Sequence, residues 1–420
     1  MENVFDVLKE RGFLDAVTSK DLQKHLQKPR KIYLGFDPTA DSLHVGSLVG
    51  IMVLKWLQKF GHQPIVMLGG GTGYIGDPSG KSQERPLLQD HIIKENVAGI
   101  KKLFSQILDF SDPKIAPEFY NNHDWFCDFS VLDFLRDVGK HFRIGTMLAK
   151  DNVKKRLHSN EGLSFTEFSY SLLQGYDFYK LFTHGVDVQI GGSDQWGNIV
   201  SGLDLIRKKT DKQAFGMTYP LLTKPDGTKY GKTEQGTIWL SENKLNVYAF
   251  YQFFIRIPDE EVIHLMKILT FLDLEEIASY ETHLKAHPQA TQKALAKEVT
   301  TIVHGEEKTK LAIQASQLAH PGKVNALDEK TLEALENHLP LKHVSVDAFE
   351  GIKFLDFVIN VDIVQSKSQI RRLIENKGLY LNETLLDDFH YVLSKKDLIG
   401  PYLLFSLGKK TKILVKVTKN

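Results

Sequence analysis

At 420 residues, with 42% hydrophobic and 25% charged residues, the chain has the composition of an ordinary globular protein and is too long for one compact core. A formal net charge of +1 excludes the global field that would draw a protein onto nucleic acid or a membrane surface. The single cysteine, Cys127, excludes an intramolecular disulfide and a cysteine-based zinc site, and no apolar run reaches membrane-spanning length, so a cytoplasmic protein is expected.

Residues 2–30 read as two short amphipathic helices, broken at Gly12 and Thr18-Ser19 and stopped by Pro29. Residues 31–34 read as a short strand, and residues 48–57, apolar on most sides, as a helix packed on a sheet. Between them lie Gly35, a turn containing Pro38, and a candidate N-cap at Asp41 or Ser42. That cap places His44 in the first helical turn, where free backbone N–H groups and the dipole favour an anion. A lone histidine there is as readily a capping or surface residue. Residues 64–68 form a second buried strand, and strand, helix, strand over this length is a crossover that implies a parallel sheet.

The second strand empties into a glycine-rich stretch, residues 69–82. Gly71-x-Gly73-x-x-Gly76 matches the dinucleotide fingerprint, but Pro78 and Gly80 forbid the helix that must follow it, which excludes a nicotinamide dehydrogenase. Gly76 to Gly80-Lys81-Ser82 is one residue short of a P-loop. A long, backbone-exposing loop at the carboxyl end of a strand remains, with Lys81 and Arg85 as its cations.

Residues 87–109 are helical by periodicity, 111–118 form a polar patch, and helices follow near 130–139 and 144–157. The last carries Lys150, Lys154, Lys155 and Arg156, read as a solvated basic face. Ser164 to Glu167 has capping-box spacing before a helix reaching Phe182. Tyr170, Gln174 and Asp177 fall on one face of that helix, a polar stripe that either faces water or meets a polar ligand. Residues 186–190 are a strand, and Gly191-Gly192-Ser193-Asp194-Gln195 is a second strand-to-helix corner. Two such corners in one sheet point to a crevice at a switch point. After a strand over 215–223 comes a loop with Lys224, Lys229, Gly231, Lys232 and Thr233, suited to closing over a polyphosphate. Residues 246–318 are helical, and 319–345 read as a linker region with one short helical run. Residues 351–420 carry 12 Lys+Arg against 7 Asp+Glu, with a basic helix ending at Gly378 and strands at 379–381, 402–407 and 412–417. Such a module can grip an RNA backbone, or serve as an interaction or dimerisation module.

With these residues assembled, the chain resembles the bacterial tyrosyl-tRNA synthetases of class I along its whole length. The resemblance is carried by Tyr33-x-Gly35-Phe36-Asp37-Pro38-Thr39-Ala40 with Ser42-Leu43-His44, by residues 69–81, and by Gln174-Gly175-Tyr176-Asp177. Residues 191–198 and Lys229-Tyr230-Gly231-Lys232-Thr233 complete it, and residues 351–420 resemble the family's S4-type RNA-binding module. It implies an α/β, doubly wound (Rossmann-like) catalytic domain at 1–235, a helical domain at 236–320, a linker at 321–350 and an S4-like domain at 351–420.

The implied activity is tyrosine–tRNA ligation, in which the tyrosine carboxylate attacks the α-phosphorus of ATP and the ester is then made on the 3′ end of tRNA(Tyr). A carboxylate needs no general base, so positioning and charge stabilisation suffice. On this resemblance His44 meets the phosphates, and Lys81, Arg85, Lys229, Lys232 and Thr233 clamp pyrophosphate. Gly35, Asp37, Ser47, Gly192 and Asp194 face ATP, with Asp194 and Gly192 at the ribose. Asp77, Tyr170 and Gln174 take the ammonium, Gln195 orients the carboxylate, and Tyr33 and Asp177 read the phenol. Mg²⁺ is expected on the phosphates, since no carboxylate cluster stands out. A homodimer is implied, without membrane attachment. Ser47 replaces the second histidine of the class motif, and Leu34 and Gly50 stand where some relatives offer polar side chains, so weaker nucleotide contacts are expected there. Tyr33 and the Gln174–Asp177 spacing disfavour a tryptophanyl enzyme. Intact His44, Asp194, Lys229 and Lys232 disfavour a non-catalytic RNA-binding relative.

Overall fold

A computed structural model describes residues 3–79, 88–158, 162–223, 230, 232–233, 236–318, 327–336, 339–364, 366–408 and 411–418. Lys81, Arg85 and Lys229 lie outside these residues, and of Lys232 and Thr233 only the backbone is described. The chain divides into two compact units, one of residues 1–241 with 260–283, the other of 242–259 with 284–420.

The first unit is built on a six-stranded sheet. Its strands are β1 (Ala16–Val17), β2 (Lys31–Phe36), β3 (Gln63–Leu68), β4 (Glu118–Asn121), β5 (Val186–Gly192) and β6 (Phe215–Tyr219), in the order β1-β6-β5-β2-β3-β4. All neighbours run parallel except β1, which is antiparallel to β6. The chain winds outward from β2 in one direction and from β5 in the other, so the crevice of a doubly wound sheet lies where these two strands meet. The helix Val45–Lys59 buries residues on nearly every side, among them Leu48, Ile51, Met52, Val53 and Leu54, as expected of a crossover helix covered by both sheet and neighbours. Tyr33, Ile65, Met67, Phe178, Leu181, Val186 and Ile206 form one buried cluster against the sheet.

Several expectations change in detail. The helix after β2 starts at Val45, and His44 itself is the N-cap, its Nδ1 accepting from the Gly46 N–H at 3.0 Å. Asp41 and Ser42 do not cap it: the Ser42 hydroxyl instead donates to the Leu43 carbonyl and accepts from the Ser241 N–H. The stretch downstream of the polar patch yields the edge strand β4, which has no apolar run because all four of its residues are only half-buried. The basic face at 150–156 is divided. Arg156 is 3% exposed and paired with Glu167 at 2.5 Å, Lys150 donates to the Ser201 hydroxyl at 2.7 Å, and only Lys154 and Lys155 face water. Glu167 therefore does not close a capping box at Ser164, whose hydroxyl still accepts from the Glu167 N–H.

The helical stretch is shared by the two units. Asp259–Leu269 and most of Leu274–Leu284 join the first, where the Arg11 guanidinium donates to the carbonyls of Lys267, Thr270 and Leu272 and lies 4.2 Å over the Trp56 ring. Val247–Ile255, Pro288–His304 and Glu306–Leu318 belong to the second unit. There a five-stranded sheet contains β9 (Leu341–Ser345), β10 (Leu379–Leu381), β11 (Thr384–Leu385), β12 (Tyr402–Leu407) and β13 (Thr411–Thr418), in the order β11-β10-β12-β13-β9. Strand β9 is drawn from the stretch read as linker. It pairs parallel to β13, with Lys342 and His343 breaking its apolar pattern. Ser366 caps the basic helix Lys367–Glu375, accepting from the Gln369 N–H.

The buried Arg156–Glu167 pair ties the helix Asp151–Leu157 to Phe165–Phe182, so Glu167→Leu strands a buried guanidinium. Urea melts should show a loss of about 3–5 kcal/mol, much of it recovered when Arg156→Met is added.

Candidate active site

A cavity of about 500 Å³ opens at the carboxyl ends of β2, β3, β5 and β6, around the switch point. Close approach of the two strand ends is enforced at Gly69, where any side chain would run into the Asp37 backbone and carboxylate. Tyr33, Gly35, Asp37, His44, Ser47, Asp77, Tyr170, Gln174, Asp177, Gly192, Asp194 and Gln195 all line this one space, although they are spread over more than 160 positions of sequence.

The polar stripe of the helix Phe165–Phe182 faces inward. Tyr170, Gln174 and Asp177 are 6%, 8% and 2% exposed. Asp177 Oδ2 accepts from Asn122 Nδ2 and Oδ1 from Trp125 Nε1, each at 2.9 Å. Burial outweighs these two donors and lifts the carboxyl pKa from 3.8 to about 7, with the Asp37 charge adding to the rise. Beside it stands Tyr33, 1% exposed, whose phenol is pushed well above its ordinary pKa by burial and by Asp177 and Asp37, and so remains a proton donor. Neither the Tyr33 hydroxyl nor the Gln174 amide makes a hydrogen bond among the described residues, an arrangement that a polar ligand would complete.

Asp37, expected toward ATP, is held against the groups expected at the ammonium. It accepts from the Tyr170 hydroxyl and from Thr72 Oγ1, both at 2.8 Å. Asp77 accepts from the Ser79 N–H at 2.9 Å and from Gln195 Nε2 at 2.7 Å, and Asn198 Nδ2 donates to Gln195 Oε1 at 3.3 Å. Two carboxylates and a phenol thus line one wall, a setting for a small cation.

At the other end, capping by His44 Nδ1 leaves the neutral ring's proton on Nε2. The helix start is fixed by the segment that follows the expected lysine-bearing loop: Val45 N–H donates to Ile238 C=O, and Leu240 N–H to Leu43 C=O. Tyr230, within that loop, is 3% exposed, donates its N–H to Leu222 and hydrogen-bonds Glu261 through its phenol.

Sequence reasoning missed Asn122, Trp125, Thr72 and Tyr219, all close to this space. The run Asn121-Asn122-His123-Asp124-Trp125, dense in side-chain donors directly after an aromatic pair, was the available signal for the first two. Tyr219, at the end of β6, lines the cavity beside Asp194 and had no such signal.

Because native Asp177 holds its proton up to about pH 7 while an ordinary carboxyl releases it near 3.8, the native state binds more protons across that window. The stability of the wild type should therefore fall, relative to Asp177→Asn, as pH rises from about 4 to about 7, and level off above. Urea melts of both proteins at pH 5 and pH 8 measure it.

Residues 24–320 match the family of class I tRNA synthetases (W and Y), and residues 332–415 match the tyrosine–tRNA ligase SYY-like C-terminal domain. The chain is 50% identical over 422 residues to the tyrosine–tRNA ligase of Protochlamydia amoebophila, covering 99% of each. To that of Bacteroides thetaiotaomicron it is 46% identical, covering 98% of this chain and 99% of the other. Among solved structures it is similar to a C-terminally truncated mitochondrial tyrosyl-tRNA synthetase of Aspergillus nidulans, at a TM-score of 0.68 and 33% identity over 76% of this chain and 94% of that one. The chain belongs to the tyrosyl-tRNA synthetases of class I.

Proposed function

We propose that this chain activates L-tyrosine with ATP, releasing pyrophosphate, and transfers the tyrosyl group to the 3′ end of tRNA(Tyr). The observation that carries the reading is the pair formed by Asp177 and Tyr33. A buried carboxyl held by Asn122 and Trp125 stands beside a buried phenol, in a cavity that is also lined by Asp37, Asp77 and Tyr170. A tyrosine laid in this cavity puts its hydroxyl on Tyr33 and Asp177, its ammonium on the Asp77, Tyr170 and Gln174 side, and its carboxylate toward Gln195. Asp37 supports Tyr170 in that role.

In the first step the carboxylate oxygen forms a bond to the α-phosphorus as the bond to pyrophosphate breaks. No proton needs to be removed, so the protein contributes orientation and charge. His44 Nε2–H meets the phosphates at the positive end of the helix dipole. Lys81, Arg85, Lys229, Lys232 and Thr233 hold the leaving pyrophosphate. Gly192 and Asp194 take the ribose, with Gly35 and Ser47 bordering the nucleotide. Magnesium arrives on the nucleotide, held by phosphate oxygens.

The C-terminal unit, with Arg371, Arg372 and Lys377 exposed on and just after its basic helix, grips the tRNA backbone in the manner of an S4 module. The large apolar side chains of Val131, Leu132, Ile144 and Phe165 stand 75%, 79%, 66% and 77% exposed, which supports a homodimer that would cover them. Among the described residues no helix is long and apolar enough to cross a membrane, and the cytoplasm is the proposed compartment.

Tyrosine-dependent ATP–pyrophosphate exchange, with phenylalanine and tryptophan as controls, tests the assignment; exchange with neither tyrosine nor a control would overturn it. Asp177→Ala, which leaves Asn122 and Trp125 without their acceptor, should raise the tyrosine KM roughly 10- to 100-fold and leave the ATP KM nearly unchanged. Phe165→Asp should convert the dimer to monomer in sedimentation equilibrium, since a charge in place of this exposed phenyl opposes its burial.

A further inference from the structure

We propose that Tyr219 is a nucleotide-binding residue whose phenolic hydroxyl hydrogen-bonds a ribose hydroxyl of ATP, doing from strand β6 what a polar side chain on the facing helix would otherwise do. Gly50, on the helix Val45–Lys59, was expected to leave the nucleotide poorly held. The structure fills that space. A Cβ on residue 50 would overlap the Tyr219 hydroxyl and lie 3.1 Å from its Cζ and 2.9 Å from Leu34 Cδ2. The bare glycine and the tyrosine are therefore one device, since the hydroxyl can occupy its place only if residue 50 has no side chain.

Tyr219 ends β6 and is the register partner of Gly192 on β5, two residues before Asp194. It is 8% exposed and lines the same cavity as Asp194, Ser47 and His44. Its hydroxyl makes no hydrogen bond among the described residues, although a buried hydroxyl ordinarily has a partner. Burial, with the Asp194 charge next to it, holds the phenol protonated throughout the physiological range, so it stays a donor.

The chemistry of the neighbours selects the ligand group. A phosphate would be repelled by Asp194 and is better served at the helix start, on the positive end of the helix dipole beside His44. A carboxylate beside a neutral O–H suits a vicinal diol: Asp194 accepts from one ribose hydroxyl, and Tyr219 donates to the oxygen of its neighbour.

This inference rests on the activation reading above, and the experiment separates the two. Pyrophosphate exchange by the wild type and Tyr219→Phe is measured with ATP, 2′-deoxy-ATP and 3′-deoxy-ATP. The variant should raise the ATP KM about 3- to 10-fold, with the tyrosine KM and the melting temperature unchanged. For one of the two deoxy nucleotides the wild type and variant should have equal KM, because the ligand already lacks the partner hydroxyl. An unchanged ATP KM, or an equal rise for all three nucleotides, would overturn the proposal, the latter because a merely structural role of the ring predicts it. Gly50→Ala, which keeps the phenol but displaces it, should raise the ATP KM as Tyr219→Phe does, and an unchanged value would also overturn it. Calorimetric titration with α,β-methylene-ATP reads the same difference without turnover. A wild type silent in exchange would then sink the activation reading, while a Tyr219→Phe protein binding this nucleotide as tightly as wild type would sink the present one.

Discussion

A carboxyl taken out of water and held only by neutral donors is the constraint on which the rest of the first unit depends. Burying Asp177 costs several kcal/mol unless its oxygens are met, and Asn122 and Trp125 meet them from the segment after an edge strand. That requirement ties the helix Phe165–Phe182 to the sheet, because both donors come from the segment directly after the edge strand β4. It also explains why Tyr33 is so deeply enclosed: its phenol shares the carboxyl's dry environment and, kept neutral, can offer a proton there. A ligand hydroxyl entering this corner finds a fixed donor and a fixed acceptor. A ligand without one leaves both unmet.

Much of this was legible in the residues. The glycine corners after β3 and β5, the polar stripe on one helix and the Ser164 cap rest on local chemistry, and local chemistry is written locally, although the sequence leaves the stripe's inward direction open. What escaped notice has a common cause. Asn122 and Trp125 follow a half-buried strand with no apolar run. Strand β1 is two residues long, and β9 carries Lys342 and His343. His44 displaced Asp41 and Ser42 as the cap because residues 238–240 run along the helix start, a pairing of positions nearly 200 apart. Asp37 reads as a nucleotide ligand by its neighbours in sequence and as a partner of Tyr170 by its neighbours in space. Each is a long-range contact that no periodicity reports.

The division of the helical stretch follows the same physics. A buried arginine at the N-terminal end of the chain satisfies the carbonyls that close the helix Asp259–Leu269, which binds that helix to the first unit. In the second unit Tyr248, Ala315, Leu332, Leu335 and Leu404 pack into one cluster, so helices on both sides of the excursion share a core with the C-terminal sheet. Chain order and structural membership part company wherever a capping group or an apolar face finds its partner far along the chain.

Asn122 shows what such a contact means for the site. Its Oδ1 accepts from the N–H of Gly71 at 2.7 Å, its Nδ2 donates to Thr72 Oγ1 at 3.0 Å and to Asp177 Oδ2 at 2.9 Å, and it is 1% exposed. One amide therefore belongs at once to the base of the glycine-rich stretch and to the corner that holds the buried Asp177 carboxyl. The backbone at Gly71 and Thr72 and the carboxyl of Asp177 are coupled, because a movement of either would have to be matched across a single planar group. The two regions share one hinge pin, and substitutions on either side are confined to what that amide can still satisfy.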